Sequence, residues 1–384
     1  MNELLQPFVR FLVSLRLTVV LLVLSILLVF FATLDQVHLG VWGIQHKWFF
    51  SFIVIQRISG LPVPVFPGGY FIGGLLFFNL VAAHLYRFRF NARKSGIWLT
   101  HIGLLLLIFS QFLTGLEQRE SQVQFRVGET KRYSEDFRLN ELAVIDVTDP
   151  KFDDVTSIPE SLLARDEPVQ SPRLPFRIVP RLYYPNSVVQ MRSQAPNAPP
   201  SPATMDLGPQ LAVAPQPVTY KEDERNMPAA CVELVGPEGS LGIWLVSPWL
   251  EEAQTFDYAG HTWQLVMRFK RYYTPYAMKL LQLKNDVYPG TDIPKNFSSQ
   301  VRIQDDDDKN SRDVLIYMNN PLRYRGLTYY QYQMNKADGL SVLQVVSNPS
   351  WQLPYIACLL VALGLVVQFG LHLFGFVKKR AART

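Results

Sequence analysis

Residues 87–116 read RFRFNARKSGIWLTHIGLLLLIFSQFLTGL. A short loop carrying Arg87, Arg89, Arg93 and Lys94, with no acid, runs into about twenty apolar residues. As a helix that run is long enough to cross a hydrocarbon core of roughly 30 Å. Four cations in a short loop mark it as cytoplasmic by the positive-inside rule. One turn into the apolar run sits His101. An ionisable side chain at membrane depth is costly, so His101 is a functional candidate by default.

Working outward, the charge distribution divides the chain. No Asp or Glu occurs from Gln36 to Leu116, and none follows Trp351. Between Glu117 and Ser350 there are 30 acids against 25 Lys and Arg, a balance of −5, while the whole chain is +5. The excess of base therefore lies in the membrane-flanking parts and suits an anionic inner leaflet, not nucleic acid. Cys231 and Cys358 are the two cysteines, and Cys358 falls in an apolar run. The chain thus offers no disulfide framework, no CxxC redox pair and no CxxCH haem-attachment motif.

Four apolar spans are expected, at about 13–33, 70–86, 97–116 and 353–374. A signal peptide is the rival for the first, but FATLDQ is a poor cleavage site and a retained helix is expected. Between the first two spans, Trp42, Trp48, Phe49, Phe50 and Phe52 with Lys47 and Arg57 suggest a segment lying in the membrane interface, broken by LPVPVFPGG. Gly69 and Gly73 have GxxxG spacing, which allows close helix contact. Spans two and three form an antiparallel hairpin, so His84 and His101 are expected at similar depth near the cytoplasmic face. The last span closes on Lys378, Lys379, Arg380 and Arg383. With both termini inside, every basic cluster falls on the cytoplasmic side and residues 117–350 fall outside.

That outer segment reads as β-rich. Runs at 241–246, 262–270, 299–303, 313–318, 326–331 and 341–346 are separated by turn residues. The fold class is therefore an integral membrane α-helical protein with four transmembrane helices plus an extracytoplasmic, mainly β domain of sandwich or barrel type. Its parts are 1–116, 117–350 and 351–384. Seven prolines between Ala195 and Pro217 predict a loop or linker there. The acid run Asp305 to Asp308 lacks calcium-loop spacing and reads as a solvated turn.

Several stretches together resemble the ResB-type (CcsB) proteins of system II cytochrome c biogenesis. They are SLRLTVVLLVLSIL, ATLDQVHLGVWGIQHKWF, GIWLTHIGLLLLIFSQFLTG, YPGTDIPKNFSSQVRI, NNPLRYRGLTYYQYQM and SVLQVVSNPS. The pattern departs at Asn348-Pro349-Ser350, where that family usually has Asp-Pro-Gly. The resemblance implies one subunit of a haem-handling machine in the bacterial inner (cytoplasmic) membrane. Its implied partners are a CcsA/ResC-type membrane protein and apocytochrome c with its CxxCH motif, and its cargo is haem b. The seven Trp are scattered, so the tryptophan-rich haem motif is expected on the partner. This chain is then a non-autonomous subunit of a haem-attachment complex, with no catalytic triad of its own. A purely scaffolding subunit, which docks apocytochrome and binds no haem, is the alternative. A b-type electron-transfer bundle would need histidine pairs at both membrane faces, and here they gather at one.

Haem iron takes an axial nitrogen donor, which neutral imidazole supplies. His101 matches the position where the family's third span carries a haem-ligating histidine. The plain alternative is a histidine that caps the helix or hydrogen-bonds a neighbouring helix near the interface. His84 could complete a bis-histidine site across the hairpin or snorkel to the headgroups. His372, six residues before Lys378, is a further ligand candidate or an interfacial side chain. His38 and His46 are expected on the outer side, and His261 reads as a turn residue before a strand. The basic loop at 87–94 could also attract haem propionates, although topology alone explains it. Tyr329, Tyr330 and Tyr332 fit a strand with one wet face.

Overall fold

The computed structural model describes residues 5–86, 91–195, 198–199, 201–221, 224–291, 294–305, 311–335 and 338–382. Arg87, Arg89, Asp306 to Asp308 and Arg383, named above, lie outside the described residues. The chain divides into two compact units, Met1–Arg119 with Ser347–Thr384, and Glu120–Val346.

The first unit opens with helices α1 (Leu5–Leu12) and α2 (Leu15–Ile44). The break between them exposes carbonyls at a helix end, and these need donors. Asn79 supplies them: it is buried, its Nδ2 donates to the carbonyls of Leu12 and Ser14, and its Oδ1 accepts from Thr18. Helix α2 outlasts the expected 13–33 and bends at Gly40, whose φ of 67° suits a residue without a Cβ.

A single π turn at Gln45–Phe49 then leads to a two-stranded hairpin, β1 (Ile53–Ile58) and β2 (Leu61–Pro67). The segment expected in the membrane interface takes the form of a hairpin. Trp48 is buried among Phe31, Phe66 and Val54 instead of lying at a surface. Its indole N–H donates to Asp35, which also pairs with Lys47 at 2.6 Å. Ser59 and Gly60, both at positive φ, make the hairpin turn between β-branched runs. Pro62 and Pro64 hid the second strand, because a proline within a run demotes it to an edge.

Helix α3 (Gly69–Tyr86) and helix α4 (Ser95–Glu117) follow. Their contacts run in opposite order: Tyr70 meets Phe112, Phe77 meets Phe109, and His84 meets His101. The pair is thus the expected antiparallel hairpin. Among the described residues nothing lies within 4 Å of a Cβ built at Gly73, so none of them makes the GxxxG contact there.

The second unit contains strands β3 (Arg119–Arg126), β4 (Thr130–Asp146) and β5 (Asp154–Pro159), then one helical turn, α5 (Glu160–Leu163). Next come β6 (Arg177–Tyr184), β7 (Ser187–Met191), β8 (Leu211–Pro215), β9 (Ala229–Gly236) and β10 (Gly239–Val246). Strands β11 (Gln254–Tyr258), β12 (His261–Val287), β13 (Pro294–Asp305) and β14 (Arg312–Tyr317) precede β15 (Leu322–Tyr324), β16 (Leu327–Asn335) and β17 (Leu340–Ser347). All six expected strands are present. The Pro-rich stretch is not simply a linker: LAVA at 211–214 forms most of β8 against β7, and Leu211, Ala212 and Val213 are buried.

A ten-stranded antiparallel sheet runs β14-β13-β12-β4-β3-β17-β16-β15, with β11 beside β12 and β5 beside β4. Strand β12 serves two cores. Trp263, Leu265 and Met267 alternate into a sandwich core against the three-stranded sheet β10-β9-β6. Further along, Tyr276, Met278 and Leu280 line a second core with Phe125, Val301, Ile303 and Leu343. The register against β4 slips between Tyr273 and Met278, around Pro275, which cannot donate to a ladder. Beyond that slip the sheet curls until β14 lies near β15 and β16, so the second core is nearly that of a barrel. Sandwich and barrel features therefore coexist in one unit. Tyr329 points into this core while Tyr330 and Tyr332 are exposed, as a strand with one wet face requires.

Helix α6 (Gln352–Ala381) returns to the first unit. Its approach is closed by Asn348 Oδ1 accepting from the Ser350 N–H, and Ser350 Oγ donates to Glu117. Ser350 is not at positive φ, so this turn does not require a glycine. Among the described residues, four helical stretches are long and apolar enough to cross a membrane: Leu15–Phe49, Gly69–Tyr86, Ala92–Glu117 and Gln352–Ala381.

Candidate functional site

Helix α4 presents two working faces. On one, Gly96 and Gly103 lie so close to α6 that a Cβ would sit 2.5 Å from the Gly364 carbonyl and 2.8 Å from that of Ala357. Thr100 packs over Gly364 on the same face. These small residues fix α4 against α6 by close backbone approach, the usual device where lipid supplies no hydrophobic drive between helices. Sequence reading missed this seam; the spacing of Gly96, Gly103 and Gly364 is its only trace.

The other face carries Trp98 and His101, three residues apart and therefore neighbours on the helix. Both meet His84 of α3. The His84 and Trp98 rings are edge-to-face at 5.1 Å, and the His84 and His101 rings are 4.7 Å apart at 77°. His84 Nε2 lies 3.0 Å from His101 Nδ1, and His84 Nδ1 lies 2.8 Å from the Leu80 carbonyl one turn back. His84 is buried and His101 half-buried. The two histidines expected at similar depth are thus in direct contact. Snorkelling to headgroups does not describe His84, because both its nitrogens are engaged within the helix pair.

His372 is not brought to them. The level of α6 facing His101 is near Val361 and Gly364, since Gly96 and Gly103 flank that level on α4. His372 lies eight residues past Gly364, about 12 Å along the helix, and it is exposed.

In the basic loop, Asn91 accepts from the Arg93 N–H and starts a short turn over Ala92–Lys94. Nearby, Val9, Val13, Leu15 and Tyr86 with Arg10 and Arg16 line a groove of about 480 Å³. The His46 and Trp42 rings lie 4.1 Å apart, tilted by 40°, and His38 is exposed on α2. His261 opens β12 after a turn and its Nδ1 lies 2.6 Å from Asp146, which is held below the usual carboxylate range first by the Thr148 hydroxyl and then by His261. Among the described residues no group of three or more His, Cys, Asp or Glu is placed to hold a metal ion.

One acid in the β unit is displaced the other way. Glu160 accepts from Asn140 and Tyr183, yet burial, aided by the nearby Asp136 carboxylate, pushes its pKa up. A raised folded pKa means the native state holds the extra proton between the unfolded value, about 4.3, and the folded one. Stability then falls as pH rises through that window. Glu160→Gln keeps the accepting oxygen and removes the charge. Its melting temperature, measured on the full chain in detergent, should therefore gain on wild type between pH 4 and pH 7. A difference that does not change with pH would contradict this.

The profile of the ResB-like family matches residues 82–340, a stretch that begins just before His84 and includes both histidines. The chain belongs to the ResB-like family. It is also similar to Protein NrfI of Wolinella succinogenes, with 27% identity over 92 residues, 24% of this chain. The match spans about a tenth of that relative's length, 10%.

Proposed function

We propose that the chain is the haem-handling subunit of a cytochrome c biogenesis complex in the bacterial inner membrane, with His101 as one axial ligand to haem b. The observation that carries this is the contact of two imidazoles between α3 and α4, inside helices apolar enough to span a bilayer. Such a polar pair at membrane depth calls for a task. Family membership supports cytochrome c biogenesis as that task. The excess of base around the helices supports cytoplasmic termini and an outer β unit.

Haem is the cargo here. His101 would hold it from one side, and a CcsA/ResC-type partner would supply the second axial donor and the tryptophan-rich surface. The β unit, with its negative balance, would present the CxxCH segment of apocytochrome c. Attachment then depends chiefly on holding thiols and haem vinyl groups close together, which two subunits achieve jointly.

The test is co-expression of this chain, its CcsA/ResC-type partner and a reporter apocytochrome c, with attached haem read on a haem-stained gel. Attachment should need both membrane proteins and be lost in His101→Ala. Attachment that is unchanged in His101→Ala would favour the scaffold that only docks apocytochrome.

A further inference from the structure

With both rings neutral, the hydrogen-bond directions around His84 assign which nitrogen of His101 carries a lone pair. The Leu80 carbonyl only accepts, so His84 Nδ1, 2.8 Å away, carries the proton. A neutral imidazole has one N–H, so His84 Nε2 presents a lone pair. His101 Nδ1, 3.0 Å from it, must then be the donor. Its own single proton is thereby placed on Nδ1, and Nε2 is the nitrogen that carries the lone pair. Ligation demands the neutral imidazole in any case.

We propose that His84 is a positioning residue, not a second axial ligand: it holds His101 in the Nδ1–H tautomer and aims the Nε2 lone pair at the incoming iron. The choice of haem as destination rests on the function proposed above; the tautomer does not. Two axial nitrogens on one iron stand about 4 Å apart across the metal, taking metal–nitrogen bonds of about 2 Å. Here the two nitrogens are in direct hydrogen-bond contact, with no room for iron between them. To become a ligand, His84 would have to turn its Nε2 lone pair away from His101 Nδ1, which now donates to it. The arrangement is that of many metal-binding histidines, whose far N–H is donated to a fixed acceptor that sets ring orientation and strengthens the ligand. The acceptor in this case is another imidazole, itself anchored to the backbone one turn earlier.

Two measurements on the full chain in detergent test the claim. The first needs no haem: nitrogen-15 spectra of histidine-labelled protein, with His101 assigned among the six histidines through His101→Gln. Wild type should show His101 protonated at Nδ1. His84→Leu, which removes the acceptor, should move the proton to Nε2 or mix the tautomers. His84→Gln, whose amide oxygen can accept, should retain Nδ1–H. Finding His101 protonated at Nε2 in wild type, or unaffected by His84→Leu, overturns the proposal. If His84→Leu does not fold, the wild-type and His84→Gln spectra still decide.

The second is titration with ferric haem b. His84→Leu should bind on the order of 10–100-fold more weakly than wild type, His84→Gln should recover most of the loss, and added imidazole should not restore His84→Leu. If His84→Gln loses haem as completely as His84→Leu, and imidazole restores both, His84 is a ligand and the positioning role is wrong. Wild type that takes up no haem overturns the haem reading itself, a failure distinct from a wrong tautomer.

Discussion

Gly103→Leu in α4 is expected to separate α4 from α6 and leave little monodisperse protein. A Cβ at this position would lie 2.7 Å from Val361 Cγ2, 2.8 Å from the Ala357 carbonyl and 2.9 Å from the Val361 nitrogen. Two of those three atoms are backbone and cannot swing aside. Overpacking a tight contact costs ~1–3 kcal/mol and occasionally more, and here whole helices must move. Gly96→Leu should behave alike, since its Cβ would meet the Gly364 carbonyl at 2.5 Å. Gly73→Leu in α3 is the control, because nothing lies within 4 Å of its Cβ. Heating detergent-solubilised variants and measuring the fraction that stays monodisperse compares them. Equal survival of Gly103→Leu and Gly73→Leu would show that the seam does not hold the helices. Because Thr100 and His101 share this helix, a displaced α4 should also weaken haem uptake.

Arg268→Leu should cost the β unit about 3–5 kcal/mol, the range for breaking a buried ion pair by removing one partner. Arg268 Nε donates to Glu141 Oε1 at 3.0 Å, and the two side chains are only 10% and 4% exposed. They stand directly opposite each other in the β4–β12 ladder, while Ser157 on β5 donates to the second oxygen of Glu141. Loss of the guanidinium strands a carboxylate in a site with one remaining hydroxyl donor. Replacing both residues by apolar ones, Glu141→Leu with Arg268→Met, should recover much of the loss, since a well-packed apolar pair often matches a buried ion pair. Chemical denaturation of the three variants reads the difference. A single variant as stable as wild type would mean that the pair is solvated in practice.

Much of this molecule was legible because its signals are periodic or compositional. The absence of acids from Gln36 to Leu116, together with the basic clusters, located the helices. Alternation such as Trp263, Leu265 and Met267 located the strands. Where the reading failed, tertiary context had overridden a local cue. Pro62 and Pro64 argued against a strand, yet β2 is a hairpin edge that tolerates missing donors. Nothing in the sequence marked Trp48 as buried, yet Asp35 satisfies its N–H and lets it enter the core. The Pro-rich stretch concealed β8 because LAVA is short. At the site, the shared depth of His84 and His101 followed from the hairpin, but their hydrogen bond did not. Which face of α4 meets α3 depends on the glycine seam that turns its opposite face toward α6.

The most direct test is optical. The chain would be co-expressed with a CcsA/ResC-type partner, the complex purified, and its reduced visible spectrum recorded for wild type and His101→Ala. Axial ligation by His101 predicts a haem band in wild type, its loss in the variant, and its return when imidazole is added during purification. An undiminished band in His101→Ala would contradict ligation by this residue.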